Sequence, residues 1–141
     1  MATIAQIRDG LQDRLDTVTG VAAYDVATGN ERMLDSAVAL IFPRPGSKRA
    51  TAGGARALRF AIEVHVPVLK TGLKRAQDIL DALIDSGSGS IDYAIDQEPT
   101  LGGIVDYATV DPTDLFETYG FSTLNDTKTL MARLSVEVHA A

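Results

Sequence analysis

Arg56-Ala57-Leu58-Arg59-Phe60-Ala61-Ile62-Glu63-Val64-His65-Val66 alternates between two kinds of side chain. Leu58, Phe60, Ile62, Val64 and Val66 fall on one face of an extended chain. Arg59, Glu63 and His65 fall on the other, with Ala61 among them. A period of two held over this length predicts a strand buried on one side, closed by Pro67. The end of the chain repeats the pattern from Thr127 to His139. Leu130, Ala132, Leu134, Val136 and Val138 share one face there; Met131, Arg133, Ser135, Glu137 and His139 share the other.

Upstream of the first strand, residues 43–55 hold two prolines, three glycines and three basic residues, with no periodicity. The segment lies between two strand candidates and reads as a long hairpin loop; long loops inside compact domains are often functional. It does not match the Walker pattern, and a strand rather than a helix follows it, which argues against a phosphate-binding loop. Ser36 to Phe42 is the strand before the loop, apolar on both sides as in a central position and stopped by Pro43. Val21 to Val26 is a further strand, followed by turn formers at Ala27-Thr28-Gly29-Asn30. At the start of the chain, Thr3 and Gln6 have the spacing of a capping box. Ile4, Ile7, Leu11, Leu15 and Val18 then recur as the stripe of an amphipathic helix ended by Thr19-Gly20.

Downstream, Thr71 is placed to cap a helix running to about Ser86, with Leu73, Ala76, Ile79, Leu80, Leu83 and Ile84 on its apolar face and Gly87 as a left-handed stop. Ser90 caps a short helical turn through Ile95, which ends at Pro99. Strands follow at Val105 to Val110 and Leu115 to Phe121. Asn125-Asp126 marks the turn into the last strand.

The predicted class is α+β: a mostly antiparallel sheet of about five to six strands, two main helices on one face and a long hairpin loop. The 141 residues fit one domain, 1–141. The second sheet face then carries Arg59, Glu63, His65, Arg133, Glu137 and His139, facing solvent or a neighbouring subunit. There is no cysteine, so disulfides and thiolate metal sites are excluded. Apolar runs such as Ala37 to Phe42 are too short to span a bilayer, and the first residues lack the pattern of a signal peptide. The expected compartment is a cytosol, with no membrane partner.

The formal net charge is −6, which argues against general nucleic-acid binding. Arg44, Lys48, Arg49, Arg56 and Arg59 supply five of the thirteen basic residues, whereas Asp78, Asp81, Asp85, Asp92, Asp96, Glu98, Asp106, Asp111, Asp114 and Glu117 make the second half acidic. Such asymmetry can steer like subunits or partners together.

Both histidines follow a glutamate by two residues, at Glu63/His65 and Glu137/His139. Four such ligands on adjoining strands could hold a divalent ion. Simple alternation produces the same pattern, so no metal ligand is assigned. No Gly-x-Ser-x-Gly elbow or thiol nucleophile is present, and the aspartates fall mostly on a wet helix face or in loops. The chain reads as a non-enzyme without cofactor, catalytic or metal residues.

Four stretches together resemble the tail terminator family of long-tailed bacteriophages, also called minor tail or tail-completion proteins. They are the opening amphipathic helix; the strands around the basic loop, with ALRFAIEVHVPV beyond it; GLKRAQDILDALIDSGSGSIDYAIDQEPTLGGIVDYATV; and the closing LMARLSVEVHA. The resemblance covers nearly the whole chain and rests on patterns of elements, not on invariant catalytic residues. It implies a virion protein at the head-proximal end of the tail, assembled in the host cytoplasm. Six copies would form a ring that caps the tail tube, ends its polymerisation and presents the docking surface for the head connector. Genome DNA would pass through the channel without specific binding. The implied partners are the chain itself, the tube protein and the head–tail connector. Arg44, Lys48, Arg49, Arg56, Arg59, Glu63 and His65 are the candidate interface residues. The alternatives are another head–tail joining protein or, further off, a small cytosolic ligand-binding domain or enzyme.

Overall fold

The protein's structure, a computed structural model, describes residues 3–18, 21–25, 37–44, 49–50, 56–68, 72–111, 116–124 and 127–140; for 21–25, 49, 50 and 56 the backbone alone is described. The expected stops and turns at 19–20, 27–30 and 125–126, the Thr71 cap, Leu115 and most of the 43–55 loop lie outside the described residues.

The elements are α1 (Ile4–Leu15), β1 (Val21–Asp25), β2 (Ala37–Pro43), β3 (Arg49–Ala50), β4 (Arg56–Pro67), α2 (Leu73–Ile84), α3 (Ile91–Asp96), β5 (Tyr107–Val110), β6 (Thr118–Leu124) and β7 (Thr127–Ala140). The class is the expected α+β. The sheet's main path is β1-β2-β4-β7-β5, with β3 added to β4 and β6 to β7. Its centre is the ladder between the two alternating strands, antiparallel from Arg56 opposite Ala140 to Pro67 opposite Thr129. β5 and β6 share the far side of β7, one at each end. β2 and β4 pair antiparallel, as a hairpin requires.

β1 runs parallel to β2, Val21 opposite Ala37, a pairing the sequence leaves open. One feature of the sheet departs from the reading of the sequence. The segment read as an irregular loop contains β3, where Arg49 pairs with Ala57 and Ala50 with Arg56. Strand limits also shift, β5 starting at Tyr107 and β6 at Thr118.

Both long helices and α3 pack on one face of the sheet. Ile7, Leu11 and Leu15 of α1 and Ala76, Leu80, Leu83 and Ile84 of α2 join one core with Ala39, Ile41, Phe60, Ile62, Val64, Leu134, Val136 and Val138. Burying each large aliphatic side chain contributes about 1.5–3 kcal/mol. Ile4 and Leu73, the first members of the two helical stripes, remain exposed. The Thr3 capping box forms: Gln6 N–H donates to Thr3 Oγ1 at 3.1 Å and Thr3 N–H to Gln6 Oε1 at 2.9 Å. Ser90 caps α3 by accepting from the Tyr93 N–H at 3.1 Å. The far end of α2 differs from expectation. Gly72, at φ 81°, holds its N-cap position without a side-chain bond, and the helix ends on extended Asp85, not on a left-handed Gly87.

The left-handed turn lies further on. Leu101, Gly102 and Gly103 have φ of 52°, 75° and 89°, and the N–H groups of Gly103 and Val105 both donate to the Thr100 carbonyl. Leu101 accepts a conformation disfavoured by roughly 1–2 kcal/mol for a residue with a Cβ. Its side chain is 3% exposed, so burial offsets the strain.

Candidate functional site

The sheet face opposite the helices carries a polar row and a small apolar cluster. Register places Val38, His65, Met131 and Gly120 side by side across β2, β4, β7 and β6; the next row holds Leu40, Glu63, Arg133 and Thr118. Val38 and Leu40 are buried together with Phe42 and Leu124 against them. This explains why β2 is apolar on both sides: alternate residues feed two clusters. Part of this face is therefore covered, not simply open to solvent.

Glu63 sits at the middle of a connected network. Arg133 donates to Glu63 Oε2 from Nη2 at 2.8 Å and from Nε at 3.2 Å. His65 Nε2 lies 3.2 Å from Glu63 Oε1, and His65 Nδ1 lies 3.0 Å from Thr129 Oγ1. The carboxylate can only accept, so Nε2 carries the hydrogen in its bond. The hydrogen bond from His65 leads in holding the Glu63 carboxyl below its ordinary value; burial opposes it, and the Arg133 guanidinium adds to it. His65 is only 2% exposed. Of the seven candidate interface residues, Glu63 and His65 thus face each other and the sheet, offering little surface to a partner.

The basic candidates gather at one end of the sheet. The Arg44 N–H donates to the Arg59 carbonyl, and β3 places Arg49 and Arg56 on adjoining strands beside them. Arg59 is exposed. Arg44 is engaged within the chain: its guanidinium pairs with Glu117. That contact ties the end of β2 to the residue before β6, with β4 and β7 in between. Lys48 lies outside the described residues.

The two Glu–His pairs are kept apart by register. Glu63 faces Arg133 and Glu137 faces Arg59, so the two glutamates stand four residues apart along the ladder, roughly 13 Å. His65 faces Met131 and His139 faces Ala57, eight residues apart or roughly 26 Å. No group of three or more metal-ligating side chains occurs among the described residues. His139 instead bonds Glu137 at 2.6 Å and stacks on Tyr107 with ring centroids 4.4 Å apart.

A second feature was not read from the sequence. Gln77, Asp81, Ile84 and Asp85 of α2 and its C-cap face Phe116 and Tyr119 across an open cleft of about 430 Å³. The Phe116 and Tyr119 rings are tilted together with centroids 5.5 Å apart. Tyr119 donates its hydroxyl to Asp81 Oδ1 at 2.7 Å; burial, then this bond to a carboxylate, pushes the phenol above its ordinary value. The available signal was the charge order of α2. Lys74 and Arg75 occupy its first turn and Asp81 its last, the reverse of what the helix dipole favours.

Among the described residues no helix is long and apolar enough to cross a membrane. Comparison of the sequence with protein-family models and with curated proteins found no match.

Proposed function

We propose that the chain is a structural subunit of a phage tail, a tail terminator that caps the tube as a six-membered ring, ends its polymerisation and receives the head connector. One observation carries the reading. The four stretches that resemble the family correspond to four successive units of this fold: α1, the β2–β4 hairpin, the run from α2 through the Leu-Gly-Gly turn to β5, and β7. The described surface also suits contact more than chemistry. It presents exposed Arg59, Phe116 and Phe121, and a stacked Tyr107–His139 pair. In a ring, Arg59 and its neighbours meet an adjacent copy or the tube. The acidic balance of the chain disfavours holding DNA in the channel, since phosphate and carboxylate repel.

Electron microscopy of particles assembled without this protein tests the proposal. Overlong or headless tails are the expected result. Full heads that leak DNA would assign the chain to head closure instead. Normal particles, or a small molecule retained in native mass spectrometry, would point away from a virion role.

A further inference from the structure

β6 is an edge strand without the protection that edges commonly carry. It pairs with β7, and among the described residues nothing pairs with its other side. Open N–H and C=O groups on an edge are a template for another strand, so natural edges tend to hold charged side chains or proline. Thr118–Leu124 reads Thr-Tyr-Gly-Phe-Ser-Thr-Leu and holds neither. Phe121, at its centre, is 58% exposed, more than any other large hydrophobic side chain among the described residues.

Register fixes which way these side chains point. Tyr119, Phe121 and Thr123 stand opposite Ala132, Leu130 and Lys128 of β7, and Ala132 and Leu130 belong to the core under the helices. The two aromatic residues and Lys128 therefore share the helix side of the sheet. Lys128 Nζ lies 4.6 Å from the centre of the Phe121 ring, and Tyr119 donates its hydroxyl to Asp81 of α2. Along one face, the edge thus shows a carboxylate beside Tyr119, an aromatic ring at the centre and a cation beside Thr123.

That order is complementary to itself when reversed. We infer that β6 pairs antiparallel with β6 of a second copy of this chain, about a two-fold axis at Phe121, joining two sheets into one. Phe121 then faces its own counterpart as an aromatic cross-strand pair. Thr123 of the second copy, with Lys128 one strand behind it, comes opposite Tyr119 and turns its cation towards Asp81 of the first. The axis makes the same contact twice. The strand itself brings no charge into the joint, so the charges that flank it are of opposite sign. The contact is isologous and stands apart from the ring reading, whose neighbours meet through heterologous contacts.

Sedimentation equilibrium of the full chain tests the pairing. A dimer is expected. Phe121→Lys should raise its dissociation constant about tenfold or more, since like charges then meet on the axis. Lys128→Glu should weaken it as well, and adding Asp81→Lys to that variant should restore part of the loss. The chain has no cysteine, which permits a second measurement. The register sets Gly120 opposite Ser122 of the second copy, and a Cβ at Gly120 meets nothing within 4 Å. A Gly120→Cys chain mixed with a Ser122→Cys chain under mild oxidation should therefore give the mixed disulfide in preference to either self-dimer. A chain that stays monomeric, a dimer indifferent to Phe121→Lys, or disulfides without that preference would each overturn the inference. A hexamer that survives Phe121→Lys leaves the ring reading standing and this contact wrong. A dimer that Phe121→Lys dissociates, in a chain dispensable for tail formation, leaves the contact standing and the tail role wrong.

Discussion

Gly10 of α1 lies directly against Leu101: a Cβ at position 10 would stand 3.0 Å from the Leu101 Cβ and 3.3 Å from Ile104 Cδ1. In the sequence this glycine looks like a flaw in a helix, weaker than alanine by roughly 1 kcal/mol. In the fold it lets α1 approach the left-handed turn. Leu101 cannot retreat easily, because the Thr100 carbonyl fixes the turn by accepting from Gly103 and Val105.

Gly10→Ala is therefore expected to destabilise the protein by about 1 kcal/mol, the overpacking outweighing the gain in helix propensity. Denaturant unfolding of the two proteins measures the difference. A higher midpoint for the variant would show that the turn can yield.

Glu63→Gln removes the charge from the centre of the Arg133–Glu63–His65 network. A loss of about 1–2 kcal/mol at neutral pH is expected, the range for a hydrogen bond to a charged group. The sign with pH follows from the depressed folded-state pKa. The stabilisation is complete above the carboxyl's ordinary value of 4.5 and is lost as pH falls through the lower folded value. The stability gap between wild type and variant should thus close in acid. Urea midpoints at neutral and acid pH decide it, and a constant gap would refute the linkage.

Alternation reveals which side a residue takes, and here it did so for β4 and β7. It carries no register, which is why Glu63 could not be assigned to Arg133 or the two histidines shown to stand far apart. Nor does it say what covers a face: His65 reads as outward and is buried, because Val38 and Met131 flank it on a face partly closed by its own apolar cluster. The Thr3 and Ser90 caps were readable because the bonding partner is three residues away. β1 beside β2 in parallel, β3 within the loop and the Arg44–Glu117 tie all depend on partners distant in sequence or on pairing that composition does not specify.

Tyr119→Phe deletes the hydroxyl that bonds Asp81 while keeping the ring in the cleft. Asp81 is exposed and gains water in exchange, so the expected loss at neutral pH is small, about 1 kcal/mol or less. The alkaline limb differs more. Tyr119 holds its proton above the ordinary value of 10.0, so its contribution is present below that pH and is lost as pH rises through the folded value. The variant should lose less stability than wild type in strong alkali, which unfolding curves on both sides of that pH will show. Parallel losses would place the cause elsewhere.

Arg44 and Arg59 are joined through the backbone but differ in role, and their substitutions should separate. Arg44 spends its guanidinium on Glu117, tying β2 to the start of β6. A double-mutant cycle of Arg44→Ala and Glu117→Ala should give a coupling of about 0.5–1 kcal/mol, the range for a well-placed exposed pair. Arg59 is exposed, so Arg59→Ala should change the unfolding free energy by less than about 0.5 kcal/mol. On the proposed function, replacing Arg59 together with Lys48 and Arg49 by Ala leaves the fold intact and weakens tail capping. It appears as longer tails in electron micrographs and lower infectivity. Unchanged tail length with this triple variant would remove the basic end of the sheet from the capping contact, and a large drop in its stability would show that these residues hold the domain together instead.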